Sequence, residues 1–198
     1  MSRVNIRPIS VSDLDNIMSW VNDPEVVGKF AELGKPKTRE EEADFLEKIV
    51  LSETDALFAV ETERGKYVGN IGLHQIDGQR KQGRLAVILG NKEYCGKGYA
   101  QGAITELLRY AFEKRGLEEV WAVHLDGNSK MHHILEKSGF RTDRLLRDWY
   151  VRDGKRYDMV RMSISYDDYV AASAMAGSNE RNGRKMACAG GPALCACA

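Results

Sequence analysis

Val87-Ile88-Leu89-Gly90-Asn91-Lys92-Glu93-Tyr94-Cys95-Gly96-Lys97-Gly98-Tyr99-Ala100-Gln101-Gly102 is the stretch that decides the fold. It closes a nearly continuous apolar run, residues 84–89 (RLAVIL), of the kind expected of a central strand covered on both faces. Closely spaced glycines follow, and then Ala100, Ala103, Ile104, Leu107, Leu108 and Ala111 recur at helical spacing, predicting a long helix from about Gly98 to Lys114 that Gly116 closes. Strand, glycine loop, helix is an arrangement suited to a phosphate. The first turn of a helix has N–H groups without intrahelical acceptors, its dipole places partial positive charge there, and glycine lets an anion reach the backbone. A P-loop needs four residues between its first Gly and a Gly-Lys pair followed by Ser or Thr; here five separate Gly90 from Gly96, and Gly98 follows Lys97. A dinucleotide fingerprint needs G-x-G-x-x-G, whereas Gly96, Gly98 and Gly102 give G-x-G-x-x-x-G, and the acid Glu118 precedes the next strand instead of ending it. The glycines also fit a plain strand-to-helix turn.

Outward from this stretch the hydrophobic period changes several times. Residues 3–9 predict a strand, and Ser12 to about Asn22 a helix with Leu14, Ile17, Met18 and Val21 on one face, ended by Asn22-Asp23-Pro24. Thr38 and Glu41 form a capping box for a helix whose apolar side is Ala43, Phe45, Leu46, Ile49 and Val50. Residues 56–62 and 66–76 read as a hairpin turning at Arg64-Gly65, and Asp77-Gly78 turns the chain into the apolar strand. Residues 120–125 predict a strand, 129–138 a short helix, and two last strands bracket Asp153-Gly154. The order β-α-α-β-β-β-α-β-α-β-β predicts an α/β domain with a mixed, mostly antiparallel sheet and one parallel junction. The expected domain is 1–168. After about Asp168 the composition turns to Ala, Gly, Ser and Asn, so 169–198 reads as a disordered tail.

Lys plus Arg and Asp plus Glu both total 29, so the net charge is zero. That balance argues against a general nucleic-acid or membrane-surface binder. No apolar run approaches a membrane span and no signal-peptide pattern follows Met1, so the expected location is the cytoplasm. Cys188, Cys195 and Cys197 crowd the tail, with only Cys95 in the body, so no disulfide framework and no metal site are expected.

With these residues in view, the chain resembles the GNAT acetyltransferases. Their pyrophosphate loop, Gln/Arg-x-x-Gly-x-Gly/Ala, matches Cys95-Gly96-Lys97-Gly98-Tyr99-Ala100 in five of six slots, Cys95 being the departure. Asn128-Ser129-Lys130-Met131-His132-His133-Ile134-Leu135-Glu136-Lys137-Ser138-Gly139-Phe140 is similar to the family's Asn-x-x-Ser/Ala…Glu-Lys-x-Gly-Phe segment. Asp23-Pro24-Glu25 and Tyr150-x-x-Asp153-Gly154-x-x-Tyr157-x-Asp158 have the flavour of branches acting on ribosomal-protein N-termini, polyamines and amino-sugar nucleotides. The resemblance covers residues 3–165. It implies the GNAT fold and an acetyl-CoA-dependent N-acetyltransferase, with a primary amine of a small polar molecule or a protein N-terminus attacking the thioester directly in a ternary complex. The alternative is a non-catalytic acyl-CoA-binding module of the same fold. A monomer or homodimer is expected.

The resemblance further implies that Ile88, Leu89, Gly90, Cys95, Gly96, Lys97, Gly98, Tyr99, Ala100 and Asn128 hold the coenzyme, with backbone N–H near Leu89 polarising the carbonyl. The slots where many relatives carry a Tyr acid and a Glu base hold Leu135 and Arg84. Leucine cannot donate a proton, and arginine stays protonated. Arg84 instead suits an acidic substrate group or a rim salt bridge. His132, one turn after Asn128, is a candidate acid; His74, on the neighbouring strand, a candidate base; Tyr150, on a late strand, a third candidate. Each has an ordinary structural alternative: solvated histidine, hydrogen-bonded strand histidine, packed tyrosine. Cys95 lies near a helix N-terminus, which lowers thiol pKa, but no base is placed beside it by sequence.

Overall fold

A computed structural model describes residues 4–28, 36–152, 154–172 and 174. Seven strands form one sheet: β1 (Val4–Pro8), β2 (Ala56–Thr62), β3 (Tyr67–Asp77), β4 (Gln82–Leu89), β5 (Glu119–Leu125), β6 (Arg141–Arg152) and β7 (Lys155–Ser165), in spatial order β1-β2-β3-β4-β5-β7-β6. All neighbours are antiparallel except β4 and β5. This is the mixed sheet with one parallel junction that the order of elements predicts, and the parallel step requires the crossover helix between those strands.

Helices cover both faces. The helix expected from Ser12 to Asn22 is shorter: a 3-10 turn, Val11–Asp13, leads into α1 (Leu14–Met18). A one-turn helix α2 (Pro24–Val27) follows, its Asp23 cap accepting from Glu25 N–H and its proline at the first turn, where no N–H is needed. α3 (Arg39–Val50) starts at the Thr38/Glu41 capping box. Leu46 and Ile49 are buried as expected, but Phe45 and Val50 are exposed and Glu42 takes an inward position. α1 and α3 pack Leu14, Ile17, Leu46 and Ile49 on one side of the sheet, with Trp20, Val21 and Ala59. This is the front face.

The larger core lies behind the sheet. There α4 (Tyr99–Arg109) buries Ala103, Ile104, Leu107 and Leu108 against Ile71, Leu73, Leu85, Val87 and Val120. Its last turn, Tyr110–Lys114, widens to π-type bonding, with Arg115 N–H donating to Tyr110 O. α5 (Ser129–Lys137) contributes Leu135 to the same core. β4 alternates: Leu85 and Val87 are buried behind the sheet, while Arg84, Ala86 and Ile88 on the front face are half-buried.

Residues 166–172 are helical, and the Tyr169 ring packs on Phe112 while its hydroxyl donates to Glu113. The change in composition at Asp168 therefore falls inside a helix. Residues 175–198, with Cys188, Cys195 and Cys197, lie outside the described residues. Among the described residues no helix is long and apolar enough to cross a membrane.

Candidate active site

The parallel pair is ladder-bonded only at Gln82↔Glu119, Gly83↔Val120 and Arg84↔Trp121. Beyond these positions β4 runs on to Leu89 beside β3, and β5 to Leu125 beside β7. The strands part into a wedge, and both helix-bound loops leave from its open, C-terminal end. In a sheet of this kind the crevice beyond the strand carboxyl ends is where a ligand fits.

At that end Gly90 passes under Trp20; a Cβ there would sit 2.2–2.4 Å from the indole. Asn91 then caps a 3-10 turn, Lys92–Tyr94, accepting from Glu93 N–H. Cys95 is extended and exposed. Gly96 and Gly98 adopt φ of 75° and 85°, a left-handed geometry that L side chains resist. The first intrahelical bond of α4 runs from Gly102 N–H to Gly98 O at 3.0 Å. The N–H groups of Tyr99, Ala100 and Gln101 therefore have no acceptor in their own helix. A Cβ at Gly96 would meet nothing within 4 Å, so an anion has room to approach. The Lys66 and Lys97 ammonium groups lie 5.3 and 5.7 Å from the Tyr94 ring centre, beside this loop. Open backbone, orphan donors and nearby cations fit a diphosphate.

Lys92 fastens the loop to α2 by ion pairs with Asp23, at 2.7 Å, and Glu25. The Lys92 hydrogen bond holds the Asp23 carboxyl below its usual range, and Asp23 in turn raises Lys92. On the other side of the wedge Asn128 accepts from Met131 N–H at 3.2 Å and so caps α5. Gly139 ends that helix region at φ 94° and Phe140 enters the core, 3% exposed. Leu135 is fully buried.

The catalytic candidates occupy three separate places, and no hydrogen bond among the described residues joins them. His74 on β3 is in register with Arg84, where the wedge closes. Its Nδ1 lies 3.0 Å from Asp55 Oδ1. Arg84 is half-buried on the same face. Tyr150 sits near the tip of the β6–β7 hairpin, accepting from Arg152 Nε at 3.0 Å; another Arg152 nitrogen reaches Gly28 O at the end of α2. His132 faces β5, its Nδ1 3.1 Å from His124 Nε2 and its Nε2 3.4 Å from Glu136. His124 Nδ1 meets the Leu125 carbonyl at 2.9 Å and must donate to it. Its neutral form then accepts at Nε2, which puts the shared proton on His132 Nδ1. Burial pushes His124 below the ordinary imidazole value, and the facing His132 adds to this.

Two partners are missing from the sequence-based site, His124 and Asp55. His124 reads there as part of an apolar strand; its alternation with Val120 and Ala122 was the available signal. Asp55 lies in a Ser52-Glu53-Thr54-Asp55 turn, a composition typical of side-chain-bonded turns. Apart from these, Glu42 of α3 is 7% exposed and held above the usual carboxylate range by burial. Among the described residues no group of three His, Cys, Asp or Glu is placed to hold a metal.

This geometry has close counterparts. The spermidine N(1)-acetyltransferase of Vibrio cholerae is 24% identical over 173 residues, 87% of this chain and 98% of that one. The uncharacterized N-acetyltransferase p20 of Bacillus licheniformis is 23% identical over 171 residues, 84% of this chain and 95% of its own. A crystal structure of Vibrio cholerae spermidine N-acetyltransferase in complex with CoA and spermine superposes with a TM-score of 0.79 at 23% identity, covering 85% of this chain and 98% of that one. The acetyltransferase (GNAT) domain model matches residues 3–141. The chain belongs to the GNAT family of N-acetyltransferases.

Proposed function

We propose that this enzyme moves the acetyl group of acetyl-CoA to the primary amine of a small polar molecule or a protein N-terminus, by direct attack in a ternary complex. The observation that carries this reading is the wedge above Arg84 with the Gly96–Ala100 loop at its mouth. The loop N–H groups bind the diphosphate, and the pantetheine arm lies between β4 and β5. The amide near Leu89 polarises the thioester carbonyl. Holding both substrates converts a two-body step into an effectively one-body step.

The acceptor approaches from the front face, below α1 and α2 and beside the β6–β7 tip. His74 takes the proton that the ammonium must lose. His132, whose Nδ1–H is directed at His124, is the candidate acid on the α5 side, where the thiolate leaves. The name of the Vibrio cholerae relative, a spermidine acetyltransferase, supports a small amine as acceptor. The buried Leu135 and the Arg84 slot favour the second reading, an acyl-CoA-binding module without turnover.

A thiol-release assay with acetyl-CoA and a panel of amines, spermidine and an N-terminal peptide included, decides between them. Amine-dependent release supports transfer; acetyl-CoA binding with no release on any amine supports the second reading.

A further inference from the structure

We infer that Asp55 is a positioning residue that makes His74 a base directed along the acceptor face; the inference rests on the assignment of His74 above. A carboxylate only accepts, so the 3.0 Å contact with Asp55 Oδ1 places the proton of neutral His74 on Nδ1 and the lone pair on Nε2. Asp55 is itself held. Its Oδ2 accepts from Thr54 Oγ1 at 2.9 Å and Ser52 Oγ at 3.1 Å, and Asp55 N–H donates to Ser52 Oγ at 3.0 Å. Burial pushes the Asp55 carboxyl up, but hydrogen bonds from Thr54, His74 and Ser52 outweigh it and leave the group below its usual range, hence charged.

The free nitrogen has a direction. Nε2 lies 3.0 Å from where a Cβ on Gly72 would stand, and Leu57 Cδ1 bounds the same point at 3.0 Å. The imidazole therefore lies over Gly72, toward the open end of the wedge, and a side chain at 72 would displace it. Gly72 is in register with Ala86, and the next front-face pair is Asn70 with Ile88. Two small residues thus leave a shallow floor between the imidazole and the Ile88 rung. The step from Ala86 to Ile88 is about 7 Å at strand rise, room for an acceptor amine to sit over this floor within a hydrogen bond, or one water, of Nε2.

The charged groups facing the imidazole are Asp55 and, across the β3–β4 ladder, Arg84. In the proposed step the acceptor N–H bond breaks and an N–H bond forms at Nε2, directly or through the water. The resulting imidazolium is stabilised by Asp55 against the Arg84 charge, and its proton then passes to solvent.

The test is a double-mutant cycle of His74→Ala and Asp55→Ala, with Asp55→Asn added, measuring kcat, KM for acetyl-CoA, pH–rate profiles and melting temperature. His74→Ala should lower kcat at least 100-fold and Asp55→Ala about 10-fold, with KM for acetyl-CoA unchanged in both. Asp55→Ala should also move the acid limb of the profile to lower pH and add nothing in the His74→Ala background. Asp55→Asn, which can still accept from Nδ1–H, should recover part of kcat without restoring the profile. If Asp55→Ala costs the same factor in both backgrounds, or leaves the profile in place while only the melting temperature falls, Asp55 is structural and the inference is overturned. If His74→Ala leaves kcat and profile at wild-type values, the base itself is lost and the inference goes with it.

Discussion

The two sides of the wedge are built from different materials. On the proposed cofactor side the groups on offer are mainly backbone N–H, presented by Gly96, Gly98 and the first turn of α4. On the proposed acceptor side the candidates are side chains, His74, Asp55, Arg84 and Tyr150, each placed by a different segment. A diphosphate is the same in every substrate pair, so one fixed cradle serves it. The acceptor is what distinguishes one such enzyme from another, and side chains can change without rebuilding the sheet.

The contrast makes substitutions on the two sides separable. Gly98→Asp should have the largest effect. It sets a side chain and a negative charge where the diphosphate is proposed to lie, so acetyl-CoA affinity should fall at least 100-fold, about 2.7 kcal/mol or more, by calorimetry. His74→Ala should act on kcat and spare that affinity. A variant of either side that moved both quantities equally would break the separation.

Gly90→Ala probes the join between the sides. Its Cβ would strike Trp20, so the melting temperature should drop by an amount equivalent to about 1–3 kcal/mol, whereas Gly96→Ala meets open space and should lose only about 1–2 kcal/mol to its left-handed backbone.

The smallest effects concern two buried front-face carboxyls of opposite sign. Asp13 is 2% exposed and doubly bonded to Arg7, whose hydrogen bonds hold it below the usual range. Its stabilisation is present above the unfolded carboxylate pKa and is lost as pH falls through the lowered folded value. Glu42, raised by burial, behaves in reverse: its contribution is complete at low pH and is lost as pH rises through the folded value. Glu42→Gln should therefore raise the melting temperature at pH 8 and leave it nearly unchanged at pH 4, while Asp13→Asn should lower it at pH 8 and lose that effect in acid. Parallel pH slopes would contradict these environments.

The same contrast explains how far the sequence could be read. Backbone chemistry leaves a local signature, and the glycine loop and the short helix of residues 129–138 fall where spacing predicts. The strands are legible for the same reason, since alternation and turn residues are local. Phe45 and Val50 are exposed although their spacing points inward, because α3 meets the sheet along a narrower line, with Glu42, Leu46 and Ile49. The π turn at Tyr110–Lys114 leaves no mark in the apolar stripe. The Asp55–His74 and His124–His132 contacts join residues 19 and 8 apart through tertiary packing, which a linear pattern does not encode.

The central claim is that the amides at the start of α4 hold the coenzyme diphosphate. Amide chemical shifts recorded by NMR while acetyl-CoA is titrated test it directly. The account predicts the largest changes at Gly96, Gly98, Tyr99 and Ala100, saturating with the calorimetric binding curve. Saturation with those four signals unmoved, and the changes gathered elsewhere on the sheet, would contradict it.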